Sequence, residues 1–223
     1  MTLKILPDLV QGSEEWLEQR RGMVTASMVG RLITAKTLKP ASNPESRGLT
    51  ALLVAERITG HVEDTYTSPD MWRGIELEPV ARDLYSEHYA PATECGFMVL
   101  DDGGRRIGWS PDGLVGDVGG IEIKCPRPKN HLETILTGEV PTHYMPQLQC
   151  GLYVSGRGWI DFVSLSPGLP LFVKRIYPDQ RWFNAIDEAV DAFEDAARLM
   201  IADFEKKVEG LVPTERQDLE IKI

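Results

Sequence analysis

The chain has 223 residues, enough for one well-buried core, and its 24 Lys and Arg against 34 Asp and Glu give a formal net charge of −10. No apolar run is long enough to cross a bilayer, and the amino-terminal residues lack the apolar stretch of a secretory signal, so we expect a cytoplasmic protein. Three widely spaced cysteines (Cys95, Cys125, Cys150) form no Cys-x-x-Cys pair, which argues against a zinc site or a four-cysteine iron–sulfur cluster.

The predicted elements alternate between helices and strands. Ser13 is placed to cap a short first helix, and Thr25 or Ser27 to cap the next. The segment Leu38–Arg47 is polar and contains prolines, which predicts a loop. Apolar periodicity and turn residues predict later helices over about 49–58, 76–89, 131–136, 145–154 and 182–206, and strands over 97–100, 106–109, 120–125, 159–164 and 171–177.

These elements predict an α/β fold in which a mixed β-sheet is flanked by helices. The last helix carries an apolar stripe made of Ile186, Val190, Phe193, Ala197 and Met200. No linker divides the chain, so we expect a single domain over residues 1–223.

The charge is unevenly distributed along the chain. Residues 20–47 contain six Lys and Arg but one acidic residue, whereas residues 181–223 contain eleven Asp and Glu against six Lys and Arg. A basic inner surface that binds DNA would reconcile a nucleic-acid protein with a negative net charge. The alternative is that an acidic exterior only keeps the protein soluble.

The most informative stretch runs from Ser110 to Pro126. Asp112 lies in a Pro-Asp-Gly turn, and Glu122 and Lys124 follow in a short apolar strand, where residues two apart share a face. Two carboxylates supply the hard oxygen ligands that Mg²⁺ prefers, and a lysine beside them can hold or deprotonate a water that attacks a phosphodiester. This is the PD…ExK pattern of metal-dependent nucleases. Taken alone, it is also compatible with ordinary turn chemistry and a solvated strand face.

The residues around this stretch resemble the YqaJ-type, lambda-exonuclease-like viral recombinase family of the PD-(D/E)xK nucleases. Five blocks occur in the family's order: Gly12–Leu17 with Arg20–Gly22 and Thr25–Ser27, Trp72–Gly74 with Glu78, Ser110–Leu114, Glu122–Pro126, and Tyr144–Gln149. The resemblance implies a restriction-endonuclease-like core. It also implies a Mg²⁺-dependent exonuclease that digests one strand of double-stranded DNA from its 5′ end and releases 5′-mononucleotides.

Site roles follow from the same resemblance. Asp112, Glu122, Glu78 and the backbone carbonyl of Ile123 would bind two Mg²⁺ ions, with Mn²⁺ as a possible substitute. Lys124 would orient or activate the water, and Gln147 would assist. Without the resemblance, Glu78 and Gln147 would be ordinary polar residues on helices.

The family also binds the 5′-phosphate of its substrate. Arg20 and Ser27 match that motif best, with Thr25 and Ser110 close by in type, although a helix cap and a surface charge would explain the first two equally well. A further cation from Lys36, Lys39 or Arg47 is left open.

Met71 and Trp72, ahead of an expected turn at Arg73–Gly74, are candidates for an apolar wedge that separates the terminal base pair. The ordinary alternative is core packing.

The resemblance further implies a homotrimeric ring around DNA, no membrane association, and a single-strand annealing protein as the partner that receives the 3′ overhang in phage recombination. Two other functions stay open. A restriction or repair endonuclease would use the same residues on internal bonds, and a non-catalytic DNA-binding module would be expected to have lost one of Asp112, Glu122 and Lys124.

Overall fold

The computed structural model describes residues 1–62 and 68–216. Its strands are β1 (Thr2–Leu6), β2 (Val24–Thr25), β3 (Ile33–Thr34), β4 (Lys39–Pro40), β5 (Phe97–Asp101), β6 (Arg106–Trp109), β7 (Gly113–Val115), β8 (Gly119–Lys124), β9 (Trp159–Ser164) and β10 (Phe172–Ile176). Its helices are α1 (Glu14–Arg20), α2 (Ala26–Val29), α3 (Pro44–Thr59), α4 (Pro69–His88), α5 (Pro128–Thr137), α6 (Met145–Ser155) and α7 (Gln180–Lys207), with 3-10 turns at Gly30–Leu32 and Thr142–Tyr144.

The α/β fold class is confirmed, and the predicted mixed sheet is present as two four-stranded sheets. The first has the order β1-β5-β6-β2, and the second has the order β10-β9-β8-β7. Each contains one parallel pair, β2 with β6 and β8 with β9, among antiparallel neighbours. A separate two-stranded ribbon joins β3 to β4.

Several helices begin earlier than the sequence predicts, because capping residues and prolines were taken for loops. The predicted loop Leu38–Arg47 is wrong: it contains β4 and the first turn of α3, where Asn43 accepts from the Ser46 amide and Pro44 opens the helix. Likewise, Ser68 caps α4 by accepting from the Met71 amide, and Pro69 follows it. The expected turn at Arg73–Gly74 is therefore a helical segment.

At the first two helices the capping predictions have different outcomes. Ser13 caps α1, and its hydroxyl accepts from the Trp16 amide. Thr25 is the residue before α2, but its side chain makes no capping hydrogen bond. Its hydroxyl is engaged elsewhere, as described below.

The main core lies where α2, α3, α6 and α7 pack on the first sheet and on β9. Its largest fully buried members include Trp109, Phe162 and Leu148. A second core packs α4 against the second sheet through Tyr85, Ile121 and Val163. On α7 the predicted stripe is buried from Ile186 to Ala197, but Met200 is 39% exposed because the helix extends past the core.

The acidic helix α7 is paired with cations from the rest of the chain. Glu194 accepts two hydrogen bonds of 2.7 Å from Arg57, Glu188 binds Lys39, and Arg105 is paired with Asp187 and Asp191. Part of the charge asymmetry is thus neutralised within the molecule. Within residues 1–62 and 68–216, no helix combines the length and the apolar character that a membrane crossing needs.

Candidate active site

A short hairpin brings the two carboxylates of the central motif together. β7 and β8 are antiparallel with Gly113 opposite Ile121, and the same register places Asp112 beside Glu122. The Ile123 amide donates to Asp112 Oδ2 at 2.6 Å, which fixes the Asp112 side chain against β8. Both carboxyl groups are buried, with Asp112 8% and Glu122 1% exposed. The predicted pairing of these two residues is therefore present in the fold.

Glu122 is the centre of the polar contacts at this site. Lys124, two residues along the same strand, places Nζ 2.7 Å from Glu122 Oε1. Gln147, in the first turn of α6, donates its side-chain amide to the same oxygen. The other oxygen, Glu122 Oε2, is buried, and no group in the described part of the chain hydrogen-bonds to it. Glu122 Oε1 thus accepts two hydrogen bonds, and Glu122 Oε2 accepts none from the described residues.

Helix α4 supplies the third acidic residue. Glu78 lies in its middle and accepts from Arg82, one turn further on, at 2.6 Å. Three contacts fasten this helix to the second sheet and its turns: Arg73 donates to the Cys125 carbonyl, Arg82 to the Asp112 carbonyl, and Tyr85 to Asp161 on β9. We use "acidic cluster" for Asp112, Glu122 and Glu78.

The charges of the acidic cluster are only partly compensated. Burial, and after it the charge of Glu122, raises the pKa of Asp112 well above its usual range. Burial also raises the pKa of Glu78, although Arg82 opposes this. For Lys124, burial disfavours the charged form, but Glu122 and Asp112 outweigh it and raise the pKa of the ammonium. Carboxylates that lie together with too few cations repel one another, and a bound metal ion would relieve that repulsion.

The donor set fits a hard divalent cation. The oxygen ligands available are Asp112, the unpartnered Glu122 Oε2 and backbone carbonyls, which suits Mg²⁺ or Mn²⁺ better than a soft metal. Across residues 1–62 and 68–216, however, no three His, Cys, Asp or Glu side chains converge closely enough to hold a metal by themselves. Glu78 is turned to Arg82 instead, so its predicted part in the metal site requires a change of partner or the use of its second oxygen.

The residues predicted to bind a 5′-phosphate also lie together. Arg20 donates to the Thr25 hydroxyl at 3.4 Å, and the Thr25 and Ser27 hydroxyls are 3.2 Å apart. Trp16 connects Ser110 to these three residues. Its indole N–H donates to Ser110 Oγ at 3.0 Å, and its ring centroid lies 3.8 Å from the Arg20 guanidinium carbon. We call these five residues the Arg20 cluster. It adjoins the acidic cluster, since Ser110 is two residues from Asp112.

Arg20 is a partly buried cation that contacts the Thr25 hydroxyl and the Trp16 ring. Burial lowers the pKa of its guanidinium to about 10, against the opposing charge of Glu56, and the group stays charged at neutral pH. Of the other cations considered for this pocket, Lys39 binds Glu188 on α7.

The predicted wedge residues lie in the first turn of α4. Met71 is 48% and Trp72 is 55% exposed, so they do not pack in the core. Ile75, one turn later, is also exposed and extends the apolar surface.

The sequence does not predict a site role for Arg82, which contacts the acidic cluster, or for Trp16 of the Arg20 cluster. Arg82 follows Glu78 at the i, i+4 spacing of a helical ion pair, which is a readable signal. The contact of Trp16 with Ser110 joins residues 94 positions apart and has no such local signal.

Comparison with known proteins identifies the family. The family model described as YqaJ-like viral recombinase domain matches residues 15–158, most of the chain. The chain belongs to this family. The matched segment contains both clusters described above. A search of curated proteins finds no significant match.

Solved structures agree with the assignment. The chain is similar to an alkaline exonuclease, LHK-Exo, from Laribacter hongkongensis, with 36% identity, a TM-score of 0.79, and coverage of 90% of this chain and 100% of that one. LHK-Exo in complex with dAMP matches at 37% identity, a TM-score of 0.78 and the same coverage. A phage related exonuclease from Haemophilus somnus 129PT shares the fold at 14% identity and a TM-score of 0.62, over 82% of this chain and 96% of that one. The fold is thus that of PD-(D/E)xK exonucleases, and the family and these neighbours support a DNA exonuclease.

Proposed function

We propose that this protein is a Mg²⁺-dependent exonuclease that digests double-stranded DNA in the 5′-to-3′ direction. The observation that carries the proposal is the buried Glu122 carboxylate, which lies beside Asp112 and holds Lys124 on one oxygen, while its other oxygen has no hydrogen-bond partner among residues 1–62 and 68–216. A cation-binding acid pair with an adjacent lysine is an arrangement that can carry out metal-assisted phosphodiester hydrolysis. Family membership and the similarity to an alkaline exonuclease support the same conclusion.

Each side chain has a distinct part in the proposed reaction. Asp112, Glu122, Glu78 and the Ile123 carbonyl bind the divalent cations, two Mg²⁺ ions or Mn²⁺ in their place. When bound there, such cations would supply polarisation of the phosphodiester and a lowered pKa of water. Lys124 orients the attacking water and balances developing negative charge. Gln147 holds the Glu122 carboxylate and the water in register through its side-chain amide.

The Arg20 cluster supports the proposed polarity. A partly buried guanidinium flanked by the hydroxyls of Thr25, Ser27 and Ser110 can bind a terminal phosphate by charge-assisted hydrogen bonds. Because Ser110 is two residues from Asp112, a 5′-phosphate held there would lie next to the cations. The released product would be a 5′-mononucleotide, and LHK-Exo has been solved with dAMP, a molecule of that class.

The exposed pair Met71 and Trp72 supports strand separation in the same proposal. An apolar surface at the start of α4 can insert at the terminal base pair, where unstacking costs a few kcal/mol. Separation would leave the 5′ strand to the acidic cluster and the 3′ strand free.

Assembly and biology rest on the family resemblance alone. We propose a single exonuclease domain over residues 1–223, a homotrimeric ring around DNA, and transfer of the 3′ overhang to a single-strand annealing protein during phage-type recombination. The protein would act in the cytoplasm of a bacterial host.

The test is digestion of a linear duplex, 5′-phosphorylated or not and labelled at both ends of one strand, with Mg²⁺ or EDTA. We expect Mg²⁺-dependent release of 5′-labelled mononucleotide, no cutting of closed circular DNA, and a loss of about 10²- to 10⁴-fold in Lys124→Ala. Lys129→Ala, which changes an exposed lysine on α5, is the matched control. Cutting of closed circles would instead show an endonuclease, and no digestion with any divalent metal would show a DNA-binding module.

A further inference from the structure

Arg82 contacts two of the three residues of the acidic cluster at once. Its Nη2 donates to Glu78 Oε1 at 2.6 Å, and its Nε donates to the Asp112 backbone carbonyl at 2.7 Å. Its Nη1 binds Glu94, an exposed residue outside the cluster. The side chains of Arg82 and Glu78 are 13% and 26% exposed, so this ion pair is partly shielded from water, whereas Glu94 is 77% exposed. One guanidinium therefore ties helix α4 to the turn that carries Asp112.

The geometry of these contacts leaves specific oxygens available. Arg82 occupies Glu78 Oε1 and the Asp112 backbone oxygen, and the Ile123 amide occupies Asp112 Oδ2. No hydrogen bond from the described residues goes to Glu78 Oε2 or Asp112 Oδ1. Because a guanidinium is planar with donors in fixed directions, it sets the orientation of both partners together, which a lysine cannot do.

We propose that Arg82 is a positioning residue for the metal ligands, an inference that rests on the proposed metal-dependent function. It fixes the Glu78 carboxylate and the Asp112 turn relative to each other, and so limits how far the ligands must move to bind a cation together with Glu122. Residues that hydrogen-bond to metal ligands and orient them typically contribute about 10- to 100-fold in metal affinity or activity.

Helix α4 does not depend on Arg82 for its place in the fold. Tyr85 donates to buried Asp161 at 2.7 Å, and Arg73 donates to the Cys125 carbonyl at 2.9 Å, on either side of Arg82 along the helix. Apolar packing of Ala81 and Tyr85 against the second sheet adds to these contacts. Removal of the guanidinium should therefore disturb the ligands and leave the helix docked.

The experiment measures binding of Mn²⁺ alone by calorimetry, without DNA, to the wild type, Arg82→Gln, Arg82→Lys and Glu94→Gln. We expect Arg82→Gln to weaken Mn²⁺ binding by about 10- to 100-fold, and Arg82→Lys to lie between it and the wild type. Glu94→Gln removes only the exposed partner of Arg82 and should bind Mn²⁺ like the wild type. Equal Mn²⁺ affinity in the wild type and both Arg82 variants would overturn the inference.

Two further measurements separate positioning from a general structural effect. At saturating Mg²⁺, Arg82→Gln should recover the wild-type kcat while the Mg²⁺ concentration for half activity rises; a lower kcat at every Mg²⁺ concentration would contradict positioning. In a double-mutant cycle, most of the Mn²⁺ effect of Arg82→Gln should vanish in a Glu78→Gln background. Full additivity would show that Arg82 does not act through Glu78.

The same titration keeps the two proposals apart. If the wild type binds no Mn²⁺ and has no metal-dependent nuclease activity, the proposed function fails. If the wild type binds Mn²⁺ and Asp112→Asn does not, the proposed function stands and the Arg82 variants alone decide the inference. Melting curves of each variant check folding. If Arg82→Gln does not fold, the Mn²⁺ affinity of Arg82→Lys is compared with that of the wild type instead.

Discussion

The acidic cluster and the Arg20 cluster are neighbours, yet they compensate their charges in opposite ways. In the acidic cluster three carboxylates share two cations, Lys124 and Arg82, and the buried Glu122 Oε2 receives no hydrogen bond from the part of the chain that the structure describes. In the Arg20 cluster one guanidinium is surrounded by hydroxyls and an indole ring. The first has an excess of negative charge, and the second has a partly buried guanidinium that contacts a hydroxyl and an indole ring and is also subject to the negative charge of Glu56.

The contrast indicates what each cluster can bind. A group of carboxylates whose burial is unfavourable gains most from a cation, whereas a buried guanidinium gains most from an anion. The ion pair of Arg57 with Glu194 lacks this imbalance, because the two side chains satisfy each other through two hydrogen bonds of 2.7 Å. Incomplete compensation therefore distinguishes both clusters from a purely structural ion pair.

The largest expected effect comes from neutralising the acidic cluster with Asp112→Asn. Loss of a metal ligand should lower nuclease activity by more than about 100-fold. Without metal, the same change should stabilise the fold, because the raised pKa of Asp112 means that its ionised form is disfavoured in the folded protein. We expect a gain of about 1 kcal/mol, or about 2–4 °C in melting temperature for a domain of this size.

Calorimetric melting with EDTA or Mg²⁺ tests this expectation. Mg²⁺ should stabilise the wild type by mass action and leave Asp112→Asn unchanged. Asp117→Asn, an exposed residue in the same hairpin, is the control and should behave as the wild type. A destabilised, metal-free Asp112→Asn would mean that the carboxylate is needed for the fold and is not a strained ligand.

A smaller effect is expected from the cation of the other cluster. Arg20→Ala should reduce the preference for 5′-phosphorylated over 5′-hydroxyl ends by about 10-fold or more, since a hydrogen bond to a charged group contributes roughly 1.5–3 kcal/mol. The measurement is the ratio of initial rates on the two kinds of end. Arg21→Ala, which changes the adjacent arginine that binds Glu18 and the Gly60 carbonyl, should keep the wild-type ratio. An unchanged ratio in Arg20→Ala would remove the phosphate role of the Arg20 cluster.

The sequence predicts the residues of the acidic cluster better than it predicts the helices and contacts that position them. Strand alternation places Glu122 and Lys124 on one face, and a turn residue next to the strand places Asp112 beside them. Glu78 and Gln147 were identified by family resemblance, since a polar residue on a helix has no pattern that reveals what it faces. The early start of α4 was missed because Ser68 and Pro69 resemble a loop until they are recognised as a cap.

Contacts over long sequence separations could not be predicted at all. Arg82 reaches the Asp112 carbonyl 30 residues away, and Trp16 reaches Ser110 over 94 residues. Both depend on how helices dock against the sheets, which local periodicity does not specify. These two contacts also hold Asp112 and Ser110, which belong to the sequence motif, in position.

The smallest predicted effect concerns Trp16, which connects Arg20 to Ser110. Trp16→Phe keeps an aromatic ring beside the guanidinium but removes the N–H that donates to Ser110 Oγ. One neutral hydrogen bond contributes about 0.5–1.5 kcal/mol, so the 5′-phosphate preference should fall by about two- to tenfold, less than in Arg20→Ala. Ser110→Ala removes the acceptor of the same bond together with a phosphate-binding hydroxyl, so it should lower the ratio of initial rates at least as far, and adding Trp16→Phe to it should cause no further loss. If Trp16→Phe equalled Arg20→Ala, the indole N–H rather than the cation would dominate recognition, and the charge comparison between the two clusters would fail.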